Sequence, residues 1–396
     1  MSLLAPIADV GRHPGTGGYR RSAWSDADMA LREWFAGEAR QRGLALVEDG
    51  NGNQLAWWGA EDGHDALLLG SHLDSVPDGG AYDGPLGVVS SFAAVDALQR
   101  EGFRPARPVV VANFADEEGA RFGVACAGSR LAAGALAPER ALALTDRDGR
   151  TMAEVVRARG RDPLAVGPAE WLTRVGTFVE LHVEQGRSLV HDGAAVGVAS
   201  AIWPHGRWRF DFRGEANHAG ATPMPDRHDP VQAFAATVLA ARRLATAAGA
   251  RATFGRLDVE PGGTNAIPSR VQAWLDSRAA GEADLAELVA AITAAAQTAA
   301  EDDGTSVEVV AESVSPAVSF DAGLRDRLAT LLGAPVLPTG AGHDAGVLSP
   351  LLPTAMLFVR NPTGVSHAPS EFADDDDCAA GVEALTAVVR DLAGAS

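Results

Sequence analysis

Four short apolar runs in this sequence end in the same way, and that shared ending constrains the fold more than any other feature. Ala66-Leu67-Leu68-Leu69 leads through Gly70-Ser71 into His72-Leu73-Asp74 and on to Asp83. Pro108-Val109-Val110-Val111-Ala112-Asn113-Phe114 leads into Ala115-Asp116-Glu117-Glu118-Gly119. Thr177-Phe178-Val179-Glu180-Leu181 leads into His182-Val183-Glu184-Gln185-Gly186, and Ala355-Met356-Leu357-Phe358-Val359 leads into a loop holding His367 and Glu371. Each run is short, apolar and bounded by polar residues, as expected of a strand covered on both faces. Helical spacing follows the first loop from Val88 to Leu98, so strand, acidic loop and helix form a repeating unit of an α/β fold with a mixed, largely parallel sheet. Open sheets of this kind place ligands beyond the carboxyl ends of their strands, where these four runs carry His, Asp and Glu.

The remaining chain adds a second texture. Trp24 to Arg42 reads as a helix that Ser25 or Asp26 can cap, and Leu44–Val47 with Gln54–Trp58 reads as a hairpin. From about Gly206 to Pro316 the elements run β-α-β-β-α-β: strands at Trp208–Phe212, Ala252–Val259, Val271–Leu275 and Ser306–Ala311, with helices at Pro230–Thr246 and Ala283–Ala300. That order describes a ferredoxin-like α+β unit inserted into a discontinuous larger domain, the former spanning 206–316 and the latter 1–205 with 317–396. Leu131 to Val175 is expected to be helical. Asp374 to Asp377 is read as a solvated acidic run.

Composition excludes several partners. The 396 residues carry a formal charge of -19, which argues against nucleic acid and against an anionic membrane surface. Leu288 to Ala300, the longest apolar tract, is too short to span a bilayer, and Met1 to Gly18 lacks the pattern of a signal peptide. Cys126 and Cys378 match no metal or redox spacing, and Cys126 reads as a small buried apolar residue. A cytoplasmic protein is the expectation.

His72, Asp83, Glu118, His182 and His367 all fall in strand-end loops of the one expected sheet. Singly each has an ordinary reading; Glu117-Glu118, for instance, suits a helix N-terminus. Their coincidence points to a metal centre. Three imidazoles and two carboxylates suit two borderline divalent ions with one carboxylate shared. Such a pair acidifies a water and polarises a carbonyl oxygen, and the water's proton needs a base. Glu117 adjoins Glu118, and consecutive side chains of an extended loop diverge, so one can bind metal while the other faces the water. Asp74 is expected to hydrogen-bond His72 and fix its tautomer.

Taken together, His72-Leu73-Asp74-Ser75-Val76-Pro77, Gly80-Ala81-Tyr82-Asp83-Gly84, Asp116-Glu117-Glu118-Gly119, Leu181-His182-Val183-Glu184-Gln185-Gly186 and Ser366-His367-Ala368-Pro369-Ser370-Glu371 resemble the M20 metallopeptidase superfamily. The likeness is to its amidase branch of N-carbamoyl-L-amino acid hydrolases, allantoate amidohydrolases and β-ureidopropionases of the yeast type, and it runs from about Trp24 to Glu371. The close spacing of His72 and Asp83, and an imidazole at position 182 where the peptidases usually carry a carboxylate, separate this branch from them.

The resemblance implies that His72 and His182 hold one ion, Glu118 and His367 the other, and Asp83 both, with manganese the expected metal and zinc the alternative. It makes the inserted domain a lid and the site of homodimerisation. Within that domain Ala201-Ile202 leading to Arg207, and Gly214 to Met224 around Asn217-His218, resemble a segment that meets the substrate. Asn265-Ala266-Ile267-Pro268 and Asp276-Ser277-Arg278 resemble the part that holds a substrate carboxylate, a task suited to a planar guanidinium. His218 is then the donor to the oxyanion, Gln185 a partner of the ureido group, and Gly342-His343-Asp344-Ala345 a family loop with no role assigned. The implied reaction is hydrolysis of the ureido C–N bond of a small carboxylate-bearing substrate, allantoate or an N-carbamoyl-L-amino acid, releasing ammonia and carbon dioxide. The loop from Asp78 to Leu86 leans toward allantoate. An aminoacylase or dipeptidase on the same metal core, and a metal-binding scaffold without catalysis, are the rival readings.

Overall fold

The computed structural model describes residues 2–60 and 63–394. Backbone contacts separate two units, residues up to 201 together with 319 onward, and residues 202–318.

The first unit is built on a mixed sheet, nine-stranded among the described residues. Its centre is four neighbouring strands in the order Val109–Phe114, Ala66–His72, Val175–Val183, Thr354–Val359, all mutually parallel. These are the four apolar runs of the sequence, and every residue of the first two and the last is buried. Parallel pairing has a simple consequence: the four carboxyl ends emerge along one edge. The Ala45–Glu48 and Gln54–Trp58 hairpin extends the sheet antiparallel on one side, and Val196–Ile202 extends it on the other.

Helices Pro85–Arg100 and Asp375–Ala393 contribute Leu86, Ala94, Leu98, Leu385, Val388 and Val389 to one core with Leu67, Leu69, Val179, Leu181 and Leu357 of the strands. Ser25 caps the helix Asp26–Gln41, its hydroxyl accepting the Asp28 N–H at 3.2 Å. Leu31 and Phe35 of that helix pack on Val88 and Phe92.

The second unit is a four-stranded antiparallel sheet in the order Ser306–Ser315, His205–Arg213, Arg270–Arg278, Arg251–Glu260. Burial alternates along Arg270–Arg278, as it must when one face is covered. Helices Pro230–Ala247 and Glu282–Asp302 supply that cover, packing Ala233, Ala241, Leu288 and Ile292 against Phe210, Phe212, Val271 and Leu275. No helix among the described residues is long and apolar enough to cross a membrane.

Two expectations need correcting. Residues 131–175 are helical only in short pieces, the α-helices Ala127–Ala132, Pro138–Leu142 and Met152–Ala158 and the 3-10 turns Pro163–Ala165 and Glu170–Arg174. Gly134, Gly149, Gly160 and Gly167 adopt positive φ there, and Pro138, Pro163 and Pro168 add further breaks, so no long helix can propagate. The acidic run is not merely solvated: Asp375 to Asp377 form the first turn of a 19-residue helix, where carboxylates oppose the helix dipole favourably. Asp377 is buried and takes both Nε and Nη2 of Arg360, at 2.8 and 2.7 Å.

Leu357 lies fully buried between Leu181 and Val198 on the neighbouring strands. Leu357→Ala should lower the stability of the first unit by ~2–5 kcal/mol, read as a lower urea midpoint at unchanged slope.

Candidate metal centre

The shared strand edge brings His72, the last residue of its strand, beside His182 near the end of the next. Main-chain carbonyls orient both rings: His72 Nδ1 lies 3.1 Å from Asp74 O, and His182 Nδ1 lies 2.9 Å from Val183 O. A carbonyl only accepts, so each Nδ1 carries a proton and a neutral ring presents its Nε2 lone pair. Both Nε2 atoms are buried and have no hydrogen-bond partner among the described residues.

Asp83 faces them with one oxygen and looks the other way with the second. Its Oδ1 is 3.1 Å from His182 Nε2 and 3.7 Å from His72 Nε2. Its Oδ2 is 3.4 Å from His367 Nε2, which in turn lies 3.5 Å from Glu118 Oε2. Two triads result, His72 with Asp83 and His182, and Asp83 with Glu118 and His367, each with its donor atoms within 4.8 Å of one another. Orphaned buried nitrogens beside converging carboxylates are the donor set that divalent cations need, so these residues fit a pair of such ions.

The loop carrying Asp83 is held from below. Glu371 Oε1 accepts the backbone N–H groups of Tyr82 and Asp83, both at 2.9 Å. Ser366 Oγ donates to Asp83 Oδ2 at 2.8 Å and lies 3.1 Å from Glu371 Oε2. Glycine is required where this loop presses on its supports: a Cβ at Gly84, whose φ is 83°, would collide with the His72 imidazole, and one at Gly80 would meet the Glu371 carboxylate.

Asp74 does more than expected. Its carboxylate accepts the N–H groups of Glu117 and Glu118, at 3.1 and 3.2 Å, and only its main-chain carbonyl comes within 3.1 Å of His72 Nδ1. The side chain stays 3.4 Å from that nitrogen while it also braces the neighbouring acidic loop. Glu117 Oε2 reaches to 3.5 Å from His72 Nε2. Gln185 commits its amide nitrogen to Asp83 Oδ2 at 2.9 Å and to Ser366 Oγ at 3.2 Å. Glu371 and Ser366 were given no role by the sequence reading, although both stand in the motif around His367. His343 is likewise buried, its ring centroid 4.5 Å from that of His182.

Crowding of like charge dominates the electrostatics. Burial, with Asp83 beside it, pushes Glu118 up to about 7, and burial pushes Glu117 well above the usual carboxylate range. A hydrogen bond to the Asp83 carboxylate raises His367 to about 9. Burial opposes a charge on His72, but Glu117, Asp74 and Glu118 outweigh it and hold its pKa well above the usual imidazole value. The carboxylates thus draw positive charge to the centre, from protons or from cations.

The second unit groups its four expected residues in two places. His218 pairs in register with Ala266, and Ala219 N–H donates to Asn265 O at 3.0 Å. His218 Nδ1 accepts the N–H groups of Gly220 and Ala221, both at 3.1 Å, which leaves the ring proton on Nε2 as a donor. Arg278 meets Asp276 at 2.9 Å, and Arg207 lies 3.8 Å from the same carboxylate.

The profile of peptidase family M20/M25/M40 matches residues 68–391. An N-carbamoyl-L-amino acid amidohydrolase of Geobacillus stearothermophilus is 37% identical over 98% of this chain and 97% of its own length. The allantoate amidohydrolase of Escherichia coli K12 is 30% identical over 98% and 96%. Among solved structures, a hydantoinase/carbamoylase family amidase from Burkholderia multivorans superposes with a TM-score of 0.88 at 30% identity, covering 98% of this chain and 96% of that one.

Cations must displace the protons that Glu118 and His367 hold below about 7 and about 9 respectively. Manganese affinity should therefore rise with pH up to about 9 and fall as pH drops through about 7, with proton release measurable by calorimetry in buffers of different ionisation enthalpy. Binding without proton release would contradict this assignment of ligands.

Proposed function

The chain belongs to peptidase family M20/M25/M40, and from that premise we propose that it hydrolyses the ureido C–N bond of a small carboxylate-bearing substrate, an N-carbamoyl-L-amino acid or allantoate. The observation that carries this reading is Asp83 set between two donor triads, with the Glu117 carboxylate beside the first. Nearly full-length relatives named as amidohydrolases favour a ureido substrate over a peptide.

Two divalent cations, manganese foremost and zinc as the alternative, would be held by His72, His182, Glu118 and His367 with Asp83 shared, and would supply Lewis acidity to a carbonyl and an acidified water. Glu117 takes the proton of the attacking water as its oxygen bonds to the carbamoyl carbon. The C–N bond then breaks, and Glu117 returns that proton to the leaving nitrogen. Decomposition of the carbamoyl portion yields ammonia and carbon dioxide. Asp74 keeps Glu117 and Glu118 in register by accepting both their N–H groups. His218, with its proton on Nε2, is the proposed donor to the developing oxyanion. Arg278, Arg207 and Asn265 form the proposed recognition set for the substrate carboxylate, which would compete with Asp276 for the guanidinium groups. Gln185 offers its carbonyl oxygen, which has no hydrogen-bond partner among the described residues, to the ureido nitrogen. The same reading makes the second unit a ferredoxin-like lid and the dimerisation domain of a cytoplasmic homodimer.

A panel of allantoate, N-carbamoyl-L-amino acids and N-acyl-L-amino acids with manganese added tests the reading. Ammonia release from a ureido substrate is expected, and turnover confined to N-acyl compounds would replace it with an aminoacylase. Glu117→Gln should lower kcat by ~10²–10⁴-fold while cation binding persists, as judged by the cation-dependent rise in Tm. Near-normal turnover would place the base elsewhere.

A further inference from the structure

The side chain that touches the proposed base from behind is Cys126. Its Sγ lies 3.1 Å from Glu117 Oε1, and its backbone N–H donates to Glu117 O at 2.6 Å. Two more main-chain bonds, Ala127 N–H to Asp116 O at 3.0 Å and Gly128 N–H to Ala115 O at 2.8 Å, fasten residues 126–128 onto 115–117. Cys126 is 3% exposed, so its thiol has little room to swing, and its backbone sits at φ 54°, a left-handed conformation uncommon outside glycine.

The two oxygens of Glu117 consequently face different surroundings. Oε1 meets the thiol; Oε2 lies 3.5 Å from His72 Nε2. That nitrogen is fully buried, lacks a hydrogen-bond partner among the described residues, and is aimed into the first donor triad, as is His182 Nε2. A thiol is a weak donor, and at 3.1 Å with both partners buried its S–H is within bonding reach of Oε1. Burial, with Glu117 and Asp344 nearby, keeps the thiol protonated, the form that can donate.

We propose that Cys126 is a positioning residue for Glu117: its S–H engages Oε1 and thereby turns Oε2 toward the donor triads, the side on which a water's proton would be taken. The kinetic consequence rests on the reading of Glu117 as the base, whereas the hydrogen bond itself does not. A misdirected base costs turnover more than substrate affinity, because its work is done in the transition state.

The test has two arms. In the cation-free protein, the S–H stretching band of Cys126, identified as the infrared band lost in Cys126→Ser, should lie at the lower frequency of a bonded thiol and move to that of a free thiol in Glu117→Ala. In the kinetic arm, Cys126→Ala should lower kcat about tenfold or more at nearly unchanged KM, and Cys126→Ser, which keeps a donor, should stay within about threefold of wild type. An S–H band indifferent to Glu117→Ala overturns the proposal, and so does wild-type kcat in Cys126→Ala or an equal loss in the serine variant. Should the wild type hydrolyse no ureido compound, the proposed function fails, and the infrared arm still decides whether the thiol holds Glu117.

Discussion

One carboxylate whose two oxygens face opposite ways organises the first unit. Asp83 Oδ1 looks toward the two buried imidazoles of His72 and His182, and Oδ2 toward His367 and Glu118. Neither half could be replaced by a neutral group without leaving buried nitrogens on one side or uncompensated carboxylate on the other. Parallel strand pairing is what makes this convergence possible, because it delivers residues from four separate stretches of chain to a single edge.

Holding a carboxylate in that position takes a second layer of bonds. Glu371 grips the backbone at Tyr82 and Asp83, Ser366 ties Asp83 to Glu371, and Gly84 lets the loop lie against the His72 ring. Asp74 does the same for the acidic loop through two N–H groups. Such supports fix where donors point, and a centre of this type works only when its donors are fixed in advance. Burial of Glu117, Glu118 and Asp83 in one place is unfavourable for the isolated chain, which is the electrostatic reason that positive charge belongs among them.

Much of this was legible in the residues, for identifiable reasons. An apolar run that stops at a His or a carboxylate advertises both the strand and its functional end, so His72, Glu118, His182 and His367 could be named before any contact was known. The supports were harder to read. Asp74 carries the same side chain whether it faces an imidazole, two amides or both, and only the geometry shows that its carbonyl joins it at the ring while its carboxylate also takes the loop. Cys126 looks like a small core residue until its neighbour is known to be Glu117. The run Asp374 to Asp377 was misjudged because charge was weighed without position: at a helix start, with Arg360 waiting, Asp377 becomes a buried partner. Residues 131–175, expected to be helical, break into short pieces because glycines at positive φ interrupt them.

Anomalous diffraction from crystals grown with manganese tests the central claim most directly. Two peaks on either side of Asp83 are predicted, about 3.5–4 Å apart, one contacting His72 and His182 and the other Glu118 and His367. A single peak, or manganese bound away from Asp83, would contradict the account.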